Sequence, residues 1–109
     1  MSYQKVILIG NVGRDPSVTF IEKRPRAAFS LATTETFTPA GGGEPIKRTE
    51  WHQIVMWDAA AEFAEKYIRR GSRLFIEGRL RTRVWEDRTA IKHNVTEIYV
   101  DKFELLSRQ

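Results

Sequence analysis

In the stretch Arg79-Leu80-Arg81-Thr82-Arg83-Val84-Trp85, every second residue from Arg79 is an arginine until the series ends on a tryptophan. In an extended strand, residues i, i+2 and i+4 share a face. One face therefore presents guanidiniums and closes on an aromatic ring, while Leu80, Thr82 and Val84 suit a core face. A guanidinium fork pairs two phosphate oxygens or stacks on a base. An indole offers a flat surface to any base, worth roughly 1–3 kcal/mol per base stacked. The chemistry such a face can do is non-covalent: it grips a flexible polyanion that carries planar rings.

A second stretch has the same character. Between Arg48 and Trp57, the residues Trp51, Gln53, Val55 and Trp57 share one strand face, and His52, Ile54 and Met56 share the other. Phe37 stands at the mouth of a loop over residues 38–45, where three glycines lie between two prolines and regular structure cannot hold. Phe37, Trp51, Trp57 and Trp85 are thus candidate stacking platforms. Two plainer readings stand beside this one. Each tryptophan can be a core residue, and the arginine run can be a strand edge blunted against aggregation. His52 reads as a packing or interface residue, and His93, in a polar turn, as exposed. Gly10-Asn11-Val12-Gly13 lacks the lysine-serine/threonine ending and following helix of a phosphate loop.

The elements that must position these residues are mostly strands. Lys5 to Gly10 is a continuous apolar run, which predicts a strand buried on both faces or lying in a subunit interface through Val6, Ile7, Leu8 and Ile9. Asn11 to Pro16 reads as a turn or bulge, Ser17 to Ile21 as a short strand, and residues 22–26 as a charged turn. Long strands follow over Ala27–Phe37 and Arg48–Trp57. The one helix is predicted over Asp58–Arg70, with Asp58 as N-cap and Gly71 just past its end. Ala60, Phe63, Ala64, Tyr67 and Ile68 give that helix its apolar face. Ser72–Trp85 reads as a strand bent at Gly78, residues 86–94 as a polar turn, and Val95–Leu106 as the last strand. Strands, one helix and more strands point to a single domain over residues 1–109, built as a small antiparallel barrel.

Composition narrows the class. The chain has 109 residues, 41% hydrophobic and 29% charged, with a formal net charge of +4. A basic balance suits a polyanion partner. Without cysteine there is no disulfide and no thiolate zinc site, and His52 and His93 alone cannot build a metal site. The acids Asp15, Glu50, Asp58, Glu77, Asp87 and Glu97 are scattered rather than clustered as in metal-dependent nucleases. No hydrolase or nucleotide-binding signature occurs. The expectation is a cytoplasmic protein that is not an enzyme, with no metal, no cofactor and no membrane span.

The segments Lys5–Pro16, Phe29–Thr33, Thr49-Glu50-Trp51-His52, Tyr67–Ser72, Ile76–Trp85 and Thr96-Glu97 resemble the bacterial single-stranded-DNA-binding protein family in order and near its spacing. The resemblance spans essentially the whole chain. It implies an all-β OB-fold, a five-stranded Greek-key barrel with one α-helix, assembled as a homotetramer that wraps single-stranded DNA in replication, recombination and repair. It implies base stacking on Phe37, Trp51, Trp57 and Trp85, and backbone-facing cations at Arg81 and Arg83 with a basic pair, Arg69 and Arg70, at the helix end. Together with Lys5, Arg14 and Arg79 these form the expected phosphate contacts. The resemblance also gives His52 a part in subunit contacts.

The chain departs from the family pattern in three places. The turn at residues 22–26 replaces an asparagine-glycine turn. Residues 88–94 lack the usual glycine and tyrosine, though Arg88 and Lys92 keep them basic. The given sequence ends at Ser107-Arg108-Gln109 without the acidic tail usual in the family, which makes tail-mediated binding of replication and repair proteins doubtful. Two further readings remain open: a primosome-type OB interaction module with weak DNA affinity, and an RNA-binding OB domain of the cold-shock kind.

Overall fold

A computed structural model describes residues 1–107. Arg108 and Gln109, the chain end at which no acidic tail is read, lie outside the described residues. The elements run β1 (Val6–Val12), β2 (Ser17–Ile21), β3 (Arg24–Phe37), β4 (Ile46–Trp57), α1 (Ala59–Tyr67), β5 (Arg73–Glu86) and β6 (Lys92–Ser107). Asn11 and Val12 pair with Ala32 and Leu31, and Ser17 picks up the same partner strand at Ala28. β1 and β2 are therefore one stave interrupted at residues 13–16. Counted this way, five staves close into the expected barrel. β1 pairs with β5, β5 with β6, β6 with β4, β4 with β3, and β3 with β1 again. The β4–β6 contact, Ile54 opposite Ile98, is the parallel one.

The core is filled from the inward face of each stave and capped by the helix. Leu31, Ile54, Met56, Leu74 and Ile76 meet Ala61, Ala64 and Ile68 there, all essentially without exposure. β1 alternates instead of being buried on both faces: Val6 and Leu8 pack on the core, whereas Ile7 and Ile9 are 58% and 49% exposed. Of the two expectations for this strand, burial on both faces within one chain does not hold. Gly78 sits where the β5–β6 register jumps, with Glu77 opposite Lys102 but Gly78 opposite Val100. A Cβ there would lie 2.2 Å from the Tyr99 carbonyl oxygen, so the strands approach closely only because residue 78 is glycine.

Other boundaries differ from the sequence reading for identifiable reasons. The helix is shorter than residues 58–70. Ile68 leaves it in an extended conformation, and Gly71 at φ 87° serves a turn in which the Ser72 N–H donates to the Arg69 carbonyl at 2.9 Å. Asp58 does not cap the helix with its side chain, because Arg24 engages both carboxylate oxygens at 3.1 and 2.8 Å. The charged turn tightens to Glu22-Lys23, both at positive φ (50° and 69°). That is the backbone a two-residue hairpin requires, adopted here without glycine or asparagine. The last turn shortens to residues 87–91. The Asp87 carboxylate accepts from the Thr89 N–H, the Thr89 hydroxyl and the Ile91 N–H at 2.7–3.0 Å and sets that turn locally.

The β5–β6 ribbon beyond Leu80 projects from the barrel, since Ile98, opposite Leu80, ends the pairing of β6 with β4. Leu80 and Val84 are 45% and 60% exposed, so they do not form the core face their alternation suggested. Period-two alternation marks two faces; it does not guarantee that the apolar one has something to pack on.

Candidate nucleic-acid interface

Trp51 is the most open of the candidate rings at 57% exposure. The turn after β1 brings Gly13 against its edge: a Cβ on Gly13 would stand 2.5 Å from Trp51 Cζ3. The indole is thus propped by backbone on one side while most of its surface stays free. Beside it lies a cavity of about 360 Å³ lined by Gly13, Arg14, Ser30, Trp51 and Gln53. Among the described residues, Arg14 has no carboxylate within ion-pair distance, so its charge is unspent at the rim of this platform.

Phe37 ends β3 where the glycine-rich loop begins. It is 40% exposed, and the Arg48 guanidinium stands 5.3 Å from its ring centre. Trp85, near the tip of the β5–β6 ribbon, is 43% exposed and stacks on His93 with ring centres 4.5 Å apart and planes 20° from parallel. His93 in turn contacts the Asp87 carboxylate through Nε2 at 2.8 Å. That contact and the Thr89 hydroxyl hold the Asp87 carboxyl well below the usual carboxylate range. His93 is exposed, as the sequence suggested, but it also lies over one face of the Trp85 ring, so that a base would meet the other face.

Trp57 differs. It is half-buried, with the Arg24 guanidinium 4.6 Å and the Arg26 guanidinium 5.9 Å from its ring centre. The Tyr99 ring lies 6.2 Å from it, under Arg81 at 5.4 Å. Below this cluster the buried Glu97 accepts from Arg26 at 3.1 Å and from Arg83 at 3.0 Å. The register explains the meeting: Arg26 pairs with Trp57 across β3–β4, while Arg79 and Arg81 pair with Tyr99 and Glu97 across β5–β6.

The expected cations fall into two groups. Lys5 is paired with Glu77 at 3.4 Å, Arg79 with Asp101 at 3.2 Å and Arg83 with Glu97. Arg69 spends donors on the Glu65 and Ile68 carbonyls at the helix end. Arg70 is placed by its own N–H, which donates to Asp15 at 2.8 Å, and its side chain is exposed. Arg14 and Arg81 have no carboxylate partner among the described residues. His52 is half-buried and shares a 2.8 Å hydrogen bond with the Thr33 hydroxyl of the neighbouring strand.

Sequence reasoning missed Arg24, Arg26, Tyr99 and the stacking of His93. Arg24 and Arg26 were read as turn residues. A tighter two-residue turn would have put both on β3, at the strand end opposite Trp57. Tyr99 follows Glu97 at strand spacing, and only the β5–β6 register brings it under the arginine row.

A closed OB barrel with an open, cationic, aromatic face is the architecture of an oligonucleotide-binding protein. The comparisons with known proteins narrow that class. The model of the single-strand binding protein family matches residues 3–106. A single-stranded DNA-binding protein of Bacteroides thetaiotaomicron is 46% identical, over 98% of this chain and 68% of its own length. A chain from the solved complex of Plasmodium falciparum SSB with single-stranded DNA superposes with a TM-score of 0.84 at 34% identity, covering 96% of this chain and 94% of that one. The chain belongs to the single-strand binding protein family. Among the described residues no helix is long and apolar enough to cross a membrane, and no group of acids and histidines is arranged to hold a metal ion.

Proposed function

We propose that this protein binds single-stranded DNA without sequence preference and without chemistry of its own, serving replication, recombination and repair in the cytoplasm. The observation that carries the reading is the Trp51 platform: an exposed indole propped by Gly13, with the uncommitted Arg14 at its rim. A base stacks on the ring, and the adjacent phosphate meets the guanidinium. Phe37 with Arg48, and Trp85 with His93, repeat the pairing of ring and cation or polar ring at two further places. Lys5, Arg69, Arg70, Arg79, Arg81 and Arg83 supply the wider positive field. The paired ones contribute less than Arg14 and Arg81, because a phosphate must first compete with a carboxylate. The family membership and the relatives' names support the same reading.

Anisotropy of a labelled oligothymidine titrated with the protein tests it. The expected result is tight binding at low salt, with log affinity falling against log salt by about 0.7 for each phosphate contacted. A duplex of equal length should bind far more weakly. Salt-insensitive binding contradicts the reading. Equal affinity for oligouridine would favour the cold-shock kind of domain instead.

We also propose self-association to a homotetramer. The exposed Ile7 and Ile9 on the outer side of β1 form an apolar row that one chain leaves uncovered. His52 is assigned a neighbouring contact. Light scattering should give four times the 12.7 kDa chain mass, and a mass of one chain would remove the proposal.

A further inference from the structure

The cavity beside Trp51 has a polar floor that neither the ring nor the arginine explains. Gln53 lies two residues from Trp51 on the same face of β4, and Ser30 is its partner across the β3–β4 register. Both line the cavity of about 360 Å³ together with Gly13, Arg14 and Trp51. Further along the same two strands the polar groups are spent on each other: Thr33 is bonded to His52 at 2.8 Å and Thr34 to Thr49 at 3.1 Å. Among the described residues the Ser30 hydroxyl and the Gln53 amide have no such partner. A Cβ on Gly13 would stand 2.9 Å from the Ser30 oxygen, so the glycine leaves room for a ligand at the hydroxyl as well as propping the indole.

Charge decides which part of a nucleotide turns toward this floor. Arg14 is the one charged residue lining the cavity. An adjoining hollow of about 390 Å³ shares Arg14, Ser30 and Gln53 and adds the carboxylate of Asp15, which accepts from the Arg70 N–H at 2.8 Å. A phosphodiester turned inward would face that carboxylate, whereas one turned outward meets Arg14. The base on Trp51 then has its polar edge over neutral groups.

Those two groups share a property. A primary amide holds an acceptor beside a donor, and a hydroxyl is both. Every DNA base also sets a donor beside an acceptor on its pairing edge: N3–H and O4 in thymine, N1–H and O6 in guanine, N6–H and N1 in adenine, N4–H and N3 in cytosine. A half-turn about the last side-chain bond of Gln53 exchanges its oxygen and nitrogen, so one amide suits all four edges.

We propose that Gln53, helped by Ser30, hydrogen-bonds the pairing edge of the base stacked on Trp51, and that the reversible polarity of both groups keeps this contact free of base preference. The inference rests on the single-stranded-DNA reading and deepens it. Indifference to sequence at this position comes from adaptable hydrogen bonds as well as from stacking. No covalent step is involved.

Anisotropy titrations with labelled oligothymidine and oligocytidine of about eight nucleotides, a length that one OB domain engages, test it in wild type, Gln53→Leu and Gln53→Glu. Thermal melts establish that each is folded. Gln53→Leu removes the hydrogen bonds at similar size and should weaken binding of both oligonucleotides by about three- to tenfold. Its salt slope should stay that of wild type, because no phosphate contact is lost. Gln53→Glu fixes the polarity as acceptor: the cytosine amino group still donates to it, but thymine O4 meets a carboxylate oxygen. Repulsion of the backbone is common to both strands and cancels in the ratio of their affinities. That ratio should move toward oligocytidine by about fivefold or more relative to wild type. Wild-type affinity or a changed salt slope in Gln53→Leu, or an unchanged ratio in Gln53→Glu, overturns the proposal. Absent or salt-insensitive binding by wild type would instead defeat the underlying DNA-binding reading, so the two failures are distinguishable.

Discussion

Trp51 and Trp57 stand six residues apart on the same face of β4, and their surroundings are opposite. Trp51 meets a glycine, which leaves the ring open and gives it a firm prop. Trp57 meets Arg24, Arg26 and Tyr99, which cover it. The strand's own sequence makes the two residues equivalent. The difference comes from what the neighbouring strands deliver: the break between β1 and β2 brings Gly13 to one, and the β2–β3 hairpin brings arginines to the other. Whether an aromatic side chain can take a base depends on partners distant in sequence.

The largest expected effect separates the two rings by different readouts. Trp51→Ala should weaken oligothymidine binding by about 5- to 150-fold, the equivalent of one lost stack of roughly 1–3 kcal/mol, with little change in melting temperature. Trp57→Ala should lower the melting temperature by several degrees, because the ring supports Tyr99 and both guanidiniums. Equal thermal effects for the two substitutions would erase the distinction. A second variant sharpens it. Gly13→Val should displace the Trp51 indole and reproduce on the order of tenfold of the affinity loss, while Trp51 itself is kept. Unchanged binding by Gly13→Val would mean that the prop has no role.

The pH dependence of the Arg24–Asp58 pair gives a smaller effect. Hydrogen bonding to Arg24 holds the Asp58 carboxyl below its ordinary range in the folded protein. A depressed folded value means that the contribution is fully present above the unfolded value, near 3.9, and is lost as pH falls through the lower folded value. The melting-temperature difference between wild type and Asp58→Asn should therefore be constant from about pH 5 to 8 and close in stronger acid. A difference that varied through neutral pH would point to another group. The smallest effect belongs to the ribbon tip. Asp87→Asn loosens the turn that holds His93 on Trp85 and should cost less than about threefold in affinity, because the contact is exposed.

The sequence reading located much of this. The helix, the five long runs of strand, the bend at Gly78 and the rings and arginines that line the outer surface were all legible from alternation and turn residues. What alternation could not supply was context. Leu80 and Val84 look like a core face, but they stand at and beyond the point where β5 leaves the barrel, and both are largely exposed. Asp58 looks like a helix cap, but a guanidinium from residue 24 claims it. Arg24 and Arg26 look like turn residues, because Glu22 and Lys23 are unusual occupants of a two-residue hairpin. In each case a contact between residues far apart in sequence overrides a local preference.

The central claim is that Trp51 and Trp85 receive bases while Trp57 stays covered. Tryptophan fluorescence during titration with a long oligothymidine, in wild type and in Trp51→Phe, Trp57→Phe and Trp85→Phe, tests it most directly. The account predicts strong, salt-weakened quenching in wild type, much of it lost in Trp51→Phe and Trp85→Phe and nearly all of it kept in Trp57→Phe. Quenching that disappears with Trp57→Phe and survives Trp51→Phe would contradict the account.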